Sequence, residues 1–204
     1  MDLKIIDDFL PEDVFEKIET NFMGHMFPWY YVNKITDEDS KLSSPGYQYQ
    51  FCHILFAEHQ IMSNFYQLVI PVLEKLKAKS LFRIKANCIP KTPSTVRHGF
   101  HIDTKDCRTA ILFVNSNDGA TEFKSGKTIY SKRNRLIEFD SNMYHRGTTC
   151  TDSHTRVNIN FNYYKFNEGE TFFFIHIPYH LFKVCFQEFL RDVYHSLYMV
   201  LLVE

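Results

Sequence analysis

The segment Arg156-Val157-Asn158-Ile159-Asn160-Phe161-Asn162 alternates polar and apolar residues without a break. A period of two fixes a strand, with Arg156, Asn158 and Asn160 on one face and Val157, Ile159 and Phe161 on the other. The same period recurs upstream, where Phe82, Ile84, Ala86 and Cys88 alternate with Arg83, Lys85 and Asn87. Thr109 to Asn115 reads as another strand and Asn117-Asp118-Gly119 as a turn. Thr121 to Phe123, Thr128 to Tyr130 and Arg135 to Phe139 are further short strands, with Ser125-Gly126-Lys127 as a hairpin between two of them. Residues 81–166 therefore leave little room for helix, and a sandwich or jelly roll is predicted.

The flanks read differently. Asp8 is a candidate N-cap, Pro11 suits a first helical turn, and Val14, Phe15, Ile18 and Phe22 form an apolar stripe behind them. Residues 24–50 read as loop and irregular strand, a candidate lid. Residues 57–79 have helical spacing, with Phe65, Leu68, Val69, Val72, Leu73 and Leu76 on one side, and Pro71 kinks or divides that segment. In the tail, Phe182, Phe186, Phe189, Val193, Leu197 and Val200 share a helical face. Packing on the sheet is the first reading of that face; a dimer contact and a membrane-surface helix are the others.

At 204 residues the chain suffices for one well-filled domain. We expect a single domain over 1–204, mainly β with flanking helices (α+β). Residues 1–80 form helical support and lid, 81–166 the β core, and 167–204 a C-terminal helical extension. With 16% aromatic residues the core should be rich in rings. The net charge of -1 gives no global field to gather nucleic acid. Five scattered cysteines with no C-x-x-C pair indicate neither a zinc ribbon nor a disulfide framework, and a reducing cytoplasm is the expected setting. No apolar run is long enough for a membrane span, and the start is not that of a signal peptide.

His101-Ile102-Asp103 and the distant His145 supply two imidazoles and one carboxylate. That set holds one face of a non-haem Fe(II) ion and leaves the other positions open for a co-substrate and O2. Arg156 points from its strand toward the same pocket. Its planar guanidinium, with two parallel N–H donors, can grip the far carboxylate of a 2-oxoacid whose other end chelates the iron.

Other residues compete for attention. His98 is a rival ligand, but His101 alone has the one-residue spacing to Asp103. His154 reads as a solvated loop histidine and Cys107 as a small loop or core residue. Arg146 reads as a surface arginine, with substrate contact as the alternative. Arg97, His98, Lys105 and Arg108 gather positive charge near the mouth, which a solvated rim explains as well as an anionic substrate does. Tyr47, Tyr49 and Phe51 alternate, and either line a substrate groove or pack in the core.

Taken in order, Gly99-Phe100-His101-Ile102-Asp103, Thr109 to Asn115, Gly119-Ala120-Thr121-Glu122-Phe123, Asn134 to Phe139, His145-Arg146-Gly147 and Arg156 to Phe161 resemble the 2-oxoglutarate/Fe(II)-dependent dioxygenase superfamily. The prolyl-4-hydroxylase-like branch, in its small bacterial and phage members, looks most alike. The resemblance covers residues 81 to 164. It implies a double-stranded β-helix, a cupin-like jelly roll, with N-terminal helices on one sheet and iron at one open end. It makes His101, Asp103 and His145 the iron ligands and pairs Arg156 with the C5 carboxylate of 2-oxoglutarate. Many relatives carry Ser or Thr two residues past the basic one; Asn158 stands there. Many supply a Tyr from the strand before the metal dipeptide; Leu81 to Ile89 has none, which leaves Asn87. Asp103 fills the place that halogenases of the superfamily leave open for chloride, so hydroxylation is favoured.

The resemblance implies Fe(II), 2-oxoglutarate and O2 as cofactor and co-substrates. The expected reaction hydroxylates a C–H bond of a peptide side chain or small metabolite and converts 2-oxoglutarate to succinate. The expected setting is the cytoplasm, the host's if the chain is phage-encoded. Nucleic acid is not the favoured partner and no membrane partner is expected; oligomeric state is left open. The alternatives are a nucleobase-oxidising dioxygenase, a non-catalytic cupin-type metal-binding or sensing protein, and a structural protein on a dead oxygenase fold. A pure metal-binding roll has no use for Arg156, and a dead fold none for an intact triad.

Overall fold

A computed structural model describes residues 3–35 and 47–165. Eleven strands and two α-helices are found among them: β1 (Lys4–Ile6), α1 (Glu12–Phe22), β2 (Tyr30–Val32), β3 (Gln50–Ala57), β4 (Gln60–Ile61), α2 (Ile70–Leu76), β5 (Ser80–Pro90), β6 (Arg108–Phe113), β7 (Ala120–Phe123), β8 (Thr128–Tyr130), β9 (Arg135–Asp140), β10 (His145–Gly147) and β11 (Thr155–Tyr164). A larger antiparallel sheet has the order β1-β9-β6-β11-β5-β3-β2, with β4 beside β3, and a smaller sheet has the order β10-β7-β8. The architecture is jelly-roll-like.

Two apolar clusters follow from the alternation. The outward row of the larger sheet includes Ile84, Ala86, Leu112, Val157, Ile159 and Phe161, and it shares one cluster with Phe15, Ile18 and Phe22 of α1 and Val72, Leu73 and Leu76 of α2. The inward rows give Ile111, Phe113, Ile137 and Phe139, which join Phe123 and Ile129 of the smaller sheet in a second cluster. Each fully buried side chain of this kind is worth ~1.5–3 kcal/mol, so the helix-covered face supplies much of the stability.

The core strands lie close to where the periodicity places them. The first eighty residues are less helical than expected, because β1 to β4 lie there and join the larger sheet. α1 begins only at Glu12, behind Pro11 in extended geometry, and Asp8 sits outside it with φ 49°. A residue before proline is driven out of the helical region, so Leu10 cannot belong to the helix. The helical reading of 57–79 starts too early: β3 runs to Ala57, and Glu58 and His59, both left-handed, turn it into β4. Two successive left-handed residues form the tight turn that suits a hairpin, although no glycine announces it. Pro71 does divide the later segment, since a 3-10 helix over Asn64–Val69 gives way to α2 with the proline in its first turn. Lys77, left-handed at φ 55°, ends α2. Residues 36–46, the heart of the candidate lid, and the tail from 166 onward lie outside the described residues.

Candidate metal centre and anion pocket

β11 is buried on both faces, yet its inward row is polar throughout: Arg156, Asn158, Asn160 and Asn162. The register sets Asn158 opposite Asn87, Asn160 opposite Lys85 and Asn162 opposite Arg83 of β5. Buried polar groups without partners cost several kcal/mol, of order 1–3 each in proteins, so such a row persists only where it is satisfied or serves a ligand. Part of it is satisfied internally. The Asn87 amide donates to Asn158 at 3.1 Å, and Asn162 donates to Thr109 at 3.0 Å. The Oδ1 atoms of Asn87 and Asn160 and the Nε of Arg83 remain buried without a partner. Arg156, Asn158 and Asn160 of this row border a cavity of about 70 Å³ between the two sheets, also lined by His101, Asp103 and His145. A water needs ~10–15 Å³ on that measure, so the space takes a small ligand rather than a bulky one.

The three candidate ligands stand together, their nearest donor atoms within 4.8 Å of one another. His101 and His145 are clamped by reciprocal backbone bonds, His101 N to His145 O at 2.9 Å and the reverse at 3.0 Å. Their rings consequently project side by side, with centroids 4.8 Å apart. Each Nδ1 faces a carbonyl two residues back, Gly99 O at 3.1 Å and Met143 O at 3.0 Å. A carbonyl only accepts, so Nδ1 carries the proton in both rings and each Nε2 presents a lone pair. Those Nε2 atoms face Asp103, at 3.9 Å from Oδ1 for His101 and 3.6 Å from Oδ2 for His145. Phe139 packs edge-on against the His145 ring at 4.9 Å and fixes its plane.

Asp103 is oriented in turn. Arg83 donates to Oδ1 at 2.9 Å and Asn160 to Oδ2 at 2.6 Å. Burial alone would raise its carboxyl, but the neighbouring His145, Arg83 and His101 outweigh burial and hold it well below the usual carboxylate range. Burial, with the neighbouring His145 ring as the second cause, pushes His101 down. At neutral pH the cluster is one carboxylate and a neutral His101, the protonation that a divalent metal requires. The donor set, fixed tautomers and outer hydrogen bonds fit a metal with open positions, and they suit non-haem iron.

At the far end lies Arg156, only 2% exposed. Its Nε donates to Ser131 at 2.9 Å and its NH2 to Thr121 at 3.0 Å, with the guanidinium 5.5 Å above the Phe113 ring. No carboxylate among the described residues pairs with it. Burial pulls it down to about 10, so it stays a cation at neutral pH. Gly119 makes room for it: a Cβ there would lie 2.6 Å from Arg156 Cδ and 2.8 Å from Asn117 Oδ1.

His101, Asp103, His145, Arg156, Asn158 and Asn87 thus all border one cavity. His98 borders it too, outside the three-residue cluster. His154 is exposed, and Cys107 is buried beside Ser141. Arg146 and Arg97 pair with Glu122 at 2.7 and 2.9 Å, and Arg146 lies over Phe100. Tyr49 and Phe51 stack with Tyr31 and do not border the cavity; Gln50 between them does. Lys85, Asn160, Arg83, Thr121 and Ser131 went unassigned in the sequence. Lys85 and Arg83 share the polar phase of β5 with Asn87, so the signal was the register of β5 on β11.

No known family model matches the chain, and no curated protein matches its sequence. Solved structures do match in fold. A prolyl hydroxylase from Trichoplax adhaerens, in complex with a peptide fragment of the hypoxia inducible factor oxygen degradation domain, aligns with TM-score 0.53 at 13% identity over 79% of this chain and 83% of that one. An oxidoreductase of the 2OG-Fe(II) oxygenase family from Burkholderia pseudomallei aligns with TM-score 0.59 at 10% identity over 81% and 86%. At such identities the likeness establishes the fold, which is that of these oxygenases.

Proposed function

We propose that this chain is an Fe(II)- and 2-oxoglutarate-dependent dioxygenase that hydroxylates a C–H bond of a peptide side chain or small metabolite. The two sheets are read as the major and minor sheets of a double-stranded β-helix. The observation that carries the reading is Arg156: a cation buried with no carboxylate partner among the described residues, facing the same cavity as a His-Asp-His cluster. Metal binding alone would not need it. A dicarboxylate that spans the cavity needs both.

His101, Asp103 and His145 would hold Fe(II), and Arg156 would receive the C5 carboxylate, with Thr121 and Ser131 fixing its fork. Bound there, Fe(II) couples O2 and the oxidative decarboxylation of 2-oxoglutarate, which yields succinate and CO2, to hydroxylation of the substrate. The protein's share is placement and dryness. Gly99 and Met143 set the imidazole tautomers, Arg83 and Asn160 aim the carboxylate, and Asn87 and Asn158 offer amides midway along the cavity. Ile111 and Ile89 keep the wall apolar where no polar contact is needed. No acid or base of the chain is required. The likeness in fold to the Trichoplax enzyme, whose structure holds a peptide fragment, supports a peptide as the substrate class. No helix among the described residues is long and apolar enough to cross a membrane.

Anaerobic addition of 2-oxoglutarate to the Fe(II)-loaded protein tests the reading. A weak visible band from the iron–2-oxoacid chelate should appear, and His101→Ala or Asp103→Ala should abolish it. No band in the unaltered protein, or an undiminished band in both variants, would remove the basis for this function. A succinate-release screen over peptides, amino acids, nucleotides and single-stranded DNA then finds the substrate class.

A further inference from the structure

Lys85 is the second cation of the cavity wall, and neither the metal cluster nor the Arg156 clamp uses it. On β5 it stands opposite Asn160, whose amide holds Asp103, whereas Arg156 stands opposite Ile89. Lys85 and Ile89 are four residues apart, ~13 Å at the rise of a strand. The two cations therefore enter from opposite ends, Lys85 at the metal end and Arg156 at the other. The Lys85 charge acts on both His101 and Asp103. Among the described residues no carboxylate lies within ion-pair distance of its ammonium, because Asp103 is taken by Arg83. Asp103 is also the only carboxylate among the described residues that border the cavity, against two cations there. A half-buried ammonium in such a wall is disfavoured unless an anion joins it.

We propose that Lys85 binds the metal-chelating carboxylate of the 2-oxoacid, so that the co-substrate is held by a cation at each end. The inference rests on the dioxygenase reading. Lys85 is a positioning residue for the chelate. As a compact point charge with three donors it can follow a carboxylate that shifts within the metal sphere, whereas the Arg156 fork holds the far end in one plane.

The Fe(II)-loaded full chain, kept anaerobic and followed by the visible chelate band, separates the two ends. 2-Oxoglutarate is compared with pyruvate, which keeps the chelating 2-oxoacid end and lacks the second carboxylate. Lys85→Met should weaken both ligands by a similar factor, about 10- to 100-fold for one lost charge-assisted hydrogen bond. Lys85→Arg should restore most of the affinity. Arg156→Met should weaken 2-oxoglutarate and leave pyruvate unchanged. Fe(II) affinity without a 2-oxoacid should not fall in any of them. Unchanged binding of both ligands by Lys85→Met overturns the proposal, and so does a loss confined to 2-oxoglutarate or a matching loss of Fe(II) affinity. If the unaltered protein gives no chelate, the dioxygenase reading itself fails, and Lys85 with it.

Discussion

Replacing Arg156 with Met should cost the ligand-free protein no more than ~3 kcal/mol while removing its response to 2-oxoglutarate. The substitution deletes hydrogen bonds to Ser131 and Thr121. Each is a bond to a charged group worth ~1.5–3 kcal/mol, so the loss is ~3–6 kcal/mol. Against it stands the desolvation that draws Arg156 from 12.5 to about 10, which at ~1.4 kcal/mol per tenfold step is a penalty of about 3 kcal/mol on the charged form. Met fills similar space without a charge, so the two terms offset each other to within ~3 kcal/mol. Ligand linkage does not cancel. At a co-substrate concentration 100 times Kd the unaltered protein gains ~2.7 kcal/mol. For a chain of this size that raises Tm by about 5–11 °C. Loss of a bidentate carboxylate contact weakens binding ~100-fold or more, which leaves a rise of ~1 °C at the same concentration. Thermal unfolding of the Fe(II)-loaded anaerobic protein, with and without 2-oxoglutarate, measures both effects. A variant that loses more than ~4 kcal/mol of ligand-free stability yet keeps the full ligand-induced rise would show that Arg156 serves the fold.

Asn160→Ala removes the amide that holds Asp103 without touching a ligand atom. Fe(II) affinity by anaerobic titration should fall ~10–100-fold with the fold intact; an unchanged affinity would mean that Arg83 alone orients the carboxylate. His101 makes stability fall on the acid side. Its folded value lies below the usual histidine value because of burial and the neighbouring His145 ring. The unfolded chain therefore takes up a proton first: stability from this group is complete above ~6.5, falls as pH drops from there to the folded value, and is flat below it. Denaturant unfolding of the metal-free protein from neutral to acid pH, beside a His101→Gln variant, measures this: the same fall in stability in both would contradict the lowered His101 value.

Legibility tracked the range of the determining interactions. The strands of 81–164 could be read because each buries one apolar row and alternation is a local signal. The triad could be read because its chemistry is carried by residue type: His101 and Asp103 lie on one side by spacing alone. β10, only three residues long, could not, since it exists by pairing with β7 and by the bridge from His145 to His101. The hairpin at Glu58-His59 lacked glycine, so nothing local separated β3 and β4 from the helical pattern that follows. Lys85 shows a further limit. Its phase on β5 was visible, but its place beside the triad depends on the register that sets it opposite Asn160, and neither strand encodes register by itself.

The two faces of β11 separate what holds the molecule together from what it is built to bind. Val157, Ile159 and Phe161 enter the helix-covered cluster, where truncation leaves a cavity and costs ~2–5 kcal/mol. On the opposite face the same strand places a carboxamide next to Asp103 of the His-Asp-His cluster and a guanidinium at the end of a cavity. A sheet selected for stability alone would fill that row with apolar side chains, as β6 does with Ile111 and Phe113 on the same inward face. The contrast between neighbouring strands in one sheet marks out, without any ligand, the stretch where the inward row turns polar, from Arg156 to Asn162 on β11 and from Arg83 to Asn87 on β5. Substitutions along that stretch should therefore move binding more than stability, and the reverse should hold one residue away on either strand.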